Sequence, residues 1–168
     1  MRGWSIGALV LLAACADKTP PTPAARPVAP PPPSAATALN AFGLVGVFAA
    51  DCANPLETAG RITYTVPEKG DPTALSEIHT VKTTYRVIAA EPVSDHAIHT
   101  TTEIVAQTGL EGPSPAPIGS RFEQIFEATD GGIRLAQSQL IGGPMLVKGG
   151  QYVGTEPAAP TPVLHKCS

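Results

Sequence analysis

From Ala38 to Ser168 apolar and polar positions alternate in short runs cut by glycine- and proline-rich breakers, which is the pattern of half-buried strands. Gly43 to Ala50 is apolar throughout. In Arg61 to Val66 the residues Ile62, Tyr64 and Val66 share one face, and the turn chemistry of Pro67 to Pro72 ends the run. Ser76 to Thr83 and Thr84 to Ala90 are rich in β-branched residues. His96 to Ala106 sets Ile98, Thr100, Thr102 and Ile104 on one side. Arg121 to Ala128 and Ile133 to Leu140 flank Thr129-Asp130-Gly131-Gly132, the clearest hairpin signal in the chain. Met145 to Val147 and Gln151 to Val153 surround a turn at Lys148-Gly149-Gly150. Residues 34–42 predict one short helix ahead of the first strand. About eight strands at this spacing predict an all-β fold, either a small antiparallel up-and-down barrel or a sandwich.

A hairpin turning on Asp130-Gly131 pairs Glu127 with Arg134, Phe126 with Leu135 and Gln124 with Gln137. One face then carries Phe122, Gln124, Phe126 and Ala128 opposite Ile133, Leu135, Gln137 and Gln139. It is the more apolar face and is expected to point inward. Arg121, Glu123, Glu127 and Arg134 make up the solvated one. Gln124, Gln137 and Gln139 stand out on the core side, because a buried amide needs partners. They predict a polar lining for a ligand cavity. The competing expectations are a water-filled barrel end, or a one-residue bulge at the double glycine that shifts the register.

The N-terminal stretch has another character. Arg2 precedes a short apolar run from Ile6 to Ala14, which reads as a secretory signal rather than a bilayer-spanning helix. Its ending, Leu12-Ala13-Ala14-Cys15, resembles the lipobox of bacterial lipoproteins. That resemblance implies cleavage after residue 14 and a diacylglyceryl thioether on Cys15. With an amide-linked acyl chain added, two or more chains would anchor the protein. Ala16, where an inner-membrane retention signal has Asp, implies the outer membrane, facing the periplasm. Eight of the 22 residues from Ala16 to Thr37 are proline, so residues 15–37 are expected to form an extended tether. The β domain is then expected over 38–168.

In an oxidising periplasm the two cysteines outside the lipobox, Cys52 and Cys167, are expected to form a disulfide. Because they lie near the two ends of the domain, the pair implies that the first and last strands are neighbours, as in a closed barrel. Gly46-Val47-Phe48 resembles the Gly-x-Trp start of lipocalin-like barrels, with Phe where that family has Trp. The segments around Cys52 and from Gly154 to Cys167 resemble small lipoproteins of the same build. These likenesses imply a shape and assign no functional residue.

Charge narrows the partners. The whole chain carries a net charge of −3, and the domain has eight Lys/Arg against thirteen Asp/Glu. That balance disfavours nucleic acid and anionic lipid surfaces. No nucleotide-binding or nucleophile-elbow fingerprint is present. Glu123 and Glu127 share a face but are about 13 Å apart at strand rise, too far for a paired-carboxylate site. His96 and His99 fall on opposite strand faces, a poor geometry for a metal. The threonine run is what β-propensity selects. No cofactor, metal or catalytic residue is expected. The expectation is a non-catalytic binding domain for a small apolar ligand or an envelope protein. An assembly accessory or inhibitor acting by protein contacts is the second reading, and an enzyme the third.

Overall fold

Ser34 opens a short helix, α1 (Ala35–Phe42), by accepting the Thr37 N–H on its hydroxyl at 3.2 Å. Gly43 closes it in the left-handed region (φ 82°). There the Gly43 N–H donates to the Asn40 carbonyl and the Leu44 N–H to that of Leu39, a Schellman ending that turns the chain into the first strand. The computed structural model describes residues 33–168, apart from 58, 113 and 115. Cys15 and nearly all of the expected tether lie outside that range. The helix starts ahead of residue 38, because Ser34 caps it and its Ala38 and Leu39 are buried.

The strands β1 (Gly46–Ala49), β2 (Arg61–Thr65), β3 (Thr73–Ile78), β4 (Val81–Ser94), β5 (Ala97–Thr108), β6 (Arg121–Thr129) and β7 (Gly132–Leu140) pair in chain order, each antiparallel to the next. The strand β10 (Val163–Cys167) pairs with both β7 and β1 and closes the circle. The domain is therefore an eight-stranded antiparallel barrel rather than a sandwich. The strands β8 (Met145–Lys148) and β9 (Gln151–Tyr152) form a hairpin attached to β7 outside it. Cys52, just past β1, is bonded to Cys167 at the end of β10, 115 residues away. A loop of that length confers about 4–5 kcal/mol in the chain-entropy picture. Asp51 positions the first cysteine: its Oδ1 accepts the N–H of Ala53 at 2.8 Å and of Asn54 at 3.3 Å. Those two bonds hold its carboxyl below the usual range.

Alternation works as expected along β5, where Ile98, Thr100, Thr102 and Ile104 are all buried. Two expectations need correction. The chain does not run as a strand from Ser76 to Thr83; it turns at His79-Thr80, with His79 in the left-handed region at φ 51°. The β6–β7 hairpin does turn on Asp130-Gly131, and Glu127 faces Arg134 and Phe126 faces Leu135. The register then slips, so that Ile125, not Gln124, faces Gln137, and Gln124 faces Ser138.

The slip has a cause in the topology. Along one edge β7 serves two partners, β10 at Ile133 and Arg134 and β8 at Gln137 to Gln139. Ala136 is the extra residue between them, a bulge that lets the strand change partner. Its carbonyl accepts the Gly150 N–H at 2.8 Å. The neighbouring Leu135 carbonyl accepts the Thr161 hydroxyl at 2.8 Å. The backbone at this seam is thus satisfied without a strand partner.

Candidate functional site

The interior has two zones. Against α1, the residues Leu39, Leu44, Phe48, Val87, Ala90 and Ile98 form a dry core, continued by Phe126 and Ile133. Each large side chain buried there contributes about 2 kcal/mol. Toward the other end Ser76, Thr83, Tyr85, Thr102, Gln124 and Ser138 take inward positions beside the apolar Ile104 and Phe122, so hydroxyl and amide groups enter the filling. In that half lies a cavity of about 160 Å³.

Its floor is the top of the core: Tyr64 and Phe126, whose rings meet edge to face at 6.1 Å, with Ala74 and Leu135. Ile62 and Leu164 form apolar wall. Ser76, Tyr85, Thr102 and Gln124 supply the polar wall. Ala59, Gly60 and Arg61 flank the mouth on one side, and Tyr152, Thr161 and Pro162 on the other. Gly60 is needed there, since it has φ +82° and a Cβ on it would run into the Glu77 carbonyl.

The polar groups are sparsely paired. The Thr102 hydroxyl donates to Gln124 Oε1 at 3.5 Å, a long bond. Tyr64 is 1% exposed, and its hydroxyl has no hydrogen-bond partner. Thr100 Oγ1, one step deeper, is in the same position. Burial, and then the neighbouring Tyr85, push the Tyr64 hydroxyl well above its usual titration range. Burial also raises Tyr85. Both tyrosines stay protonated, and so uncharged, at neutral pH.

Charge stays on the outside of the barrel. Glu77, 3% exposed, pairs with Arg61 and, at 3.1 Å, with Lys82. Glu103 receives Arg86 at 2.9 Å and Arg121 at 2.8 Å, and Glu127 receives Arg134 at 2.9 Å. The hydrogen bond from Arg61 holds the Glu77 carboxyl below the ordinary range, and that from Arg121 does the same for Glu103. Arg61 at the mouth is thus neutralised by its own partner.

Of the three glutamines expected inside, Gln124 lines the cavity. Gln137 and Gln139 stand on the other face of β7 from the buried Ser138, because the bulge at Ala136 turns them outward. Ser94, Asp95 and His96 sit at the β4–β5 turn. His165 holds the Gly131 carbonyl with Nδ1 at 2.8 Å, tying β10 to the β6–β7 turn. Among the described residues no three His, Cys, Asp or Glu side chains come together as a metal site. Sequence reasoning missed Tyr64, Ser76, Tyr85 and Tyr152 as wall residues. The inward positions of Tyr64, Ser76 and Tyr85 on β2, β3 and β4 were visible in the alternation, but not the level at which they meet; Tyr152 reaches the mouth from β9, outside the barrel. Compared with protein-family models, with curated proteins and with solved structures, the chain matches none.

Proposed function

We propose that this is a lipid-anchored protein of the bacterial envelope, acylated at Cys15 and held at the outer membrane. In this reading the proline-rich tether presents to the periplasm a barrel that binds a small, largely apolar molecule without transforming it. The observation that carries the binding role is the cavity of about 160 Å³ at the end of the barrel away from α1. An apolar floor beneath a few convergent polar groups is the usual make-up of a small-molecule site. Its polar groups are hydroxyls and an amide, and its tyrosines are held protonated, which suits recognition better than proton transfer. The lipobox resemblance at Leu12-Ala13-Ala14-Cys15 and the Cys52–Cys167 disulfide support the envelope location.

Native mass spectrometry on protein recovered from the envelope tests the binding role. A co-purifying small-molecule mass on the disulfide-bonded species is expected. An apo mass, together with no response to small aromatic probes, overturns it. For the anchor, Cys15→Ala is expected to abolish fatty-acid labelling.

A second reading, docking of an envelope protein, is favoured by one observation. Leu146 and Val153 expose apolar surface together on one face of the β8–β9 hairpin, outside the closed barrel, with the Val153 N–H bonded to the Leu146 carbonyl. Leu146→Ser with Val153→Ser separates the two readings. It should leave small-molecule binding intact and remove any partner contact.

A further inference from the structure

Resting on that reading of the cavity, we infer that the ligand class is an uncharged molecule of about one six-membered ring that carries a single hydroxyl or carbonyl oxygen. Three properties of the wall converge on it.

Size comes first. Cavities of roughly 150 Å³ hold a benzene-sized guest, whereas sites for larger organic ligands run from about 300 Å³ upward. At about 160 Å³ this cavity takes one ring or a chain of similar bulk. Charge is the second property. The inward polar groups Ser76, Tyr85, Thr102 and Gln124 are neutral. Arg61, the cation at the mouth among the described residues, is engaged by Glu77. An ionised guest would lose its water and find no counter-charge inside, which is strongly unfavourable.

The third property is unused hydrogen-bonding capacity. Among the described residues Gln124 is engaged through Oε1, by Thr102, and not through Nε2. Tyr64 contributes its ring to the floor, while its hydroxyl is closed off from the cavity. An amide donor without a protein acceptor on the cavity wall calls for an oxygen acceptor on the guest. A guest that displaces water from that donor without supplying an oxygen leaves it unmade, which is unfavourable. The apolar remainder of the guest lies against Phe126, Leu135 and Ile62.

Phenol, benzene and benzoate, titrated separately, test this on the full chain carrying Cys15→Ser, so that no acyl chain competes. Binding is read by calorimetry and by the rise in unfolding midpoint with ligand concentration. Phenol is expected to bind about three- to tenfold more tightly than benzene, the effect of one net hydrogen bond, and benzoate not at all. Gln124→Leu should erase the preference for phenol and keep the binding of benzene. Equal affinity for benzene and phenol, or binding of benzoate, overturns the ligand class and leaves the cavity reading standing. A phenol preference unmoved by Gln124→Leu also overturns it. If none of the three probes binds, the cavity reading itself falls.

Discussion

At the end closed by α1 the barrel is packed with Leu39, Leu44, Phe48, Val87 and Ile98, all of them buried. At the other end the same eight strands enclose Ser76, Tyr85, Thr102 and Gln124 around a cavity. Both zones are read by the same alternation along the same strands; only the side chains differ. Well-packed hydrocarbon leaves no room and no unmet hydrogen bond, so that zone supplies stability. Neutral polar groups at incomplete packing leave both, which is what the proposed guest would need. Substitutions should therefore cut stability sharply at the helix end and barely touch it at the cavity end.

The largest effect is expected from Leu39→Ala. The side chain is 0% exposed, and its loss should lower stability by about 3 kcal/mol and the thermal midpoint by about 10 °C. Calorimetric unfolding measures this, and a shift under about 1 kcal/mol would deny the packing of α1 its role. Next comes the latch. Cys52→Ser with Cys167→Ser should lower stability by about 2–4 kcal/mol. The loosening should concentrate on β10, which hydrogen exchange at Val163 to Cys167 would register. Uniform loosening would mean that the disulfide acts on the unfolded chain alone.

The buried carboxylate near the mouth ranks third. Glu77→Gln leaves Arg61 and Lys82 without their partner, but both reach water, so the expected loss is about 1–2 kcal/mol. Its pH dependence has a definite sign. The folded carboxyl is held below the ordinary glutamate value of 4.5 by Arg61. Its contribution is full above that value and fades as pH falls through the depressed one. Acid titration of stability should therefore be flatter in the variant below pH 4.5 and parallel to the parent above it. The smallest effect belongs to Thr100→Val, midway between the zones. Its hydroxyl is buried without a partner, so the change should be neutral or stabilising by up to about 1 kcal/mol. A clear loss in urea unfolding would show that the hydroxyl is satisfied after all.

Much of the fold was legible because it rests on local rules. Period two in Ile98, Thr100, Thr102 and Ile104 marked an inward face, and Asp130-Gly131 marked a two-residue turn whose first pairs follow by counting. The turn at His79-Thr80 was illegible, since neither residue carries the usual turn chemistry and the flanking residues favour strand. Of the candidate site, Gln124 was found because the extra residue lies on β7 and leaves the alternation along β6 unbroken, although its partner is Ser138 and not Gln137. Gln137 and Gln139 were placed on the inside because counting from the turn assumes an unbroken ladder.

The chain by itself determined the strands, the short capped helix, the hairpin at Asp130-Gly131 and the closure of the domain ends through Cys52 and Cys167. Each depends on propensity, periodicity or the chemistry of residues close in sequence or alone of their kind. Only the tertiary structure decided that β7 divides one edge between β8 and β10. That division requires the extra residue Ala136, and one residue more or less in a strand exchanges its two faces. It sends Gln137 and Gln139 outward, sets Ser138 inward, and leaves Gln124 with Tyr64, Ser76 and Tyr85 around the cavity. No pattern along β7 alone carries that information, because it belongs to the strands competing for its free edge.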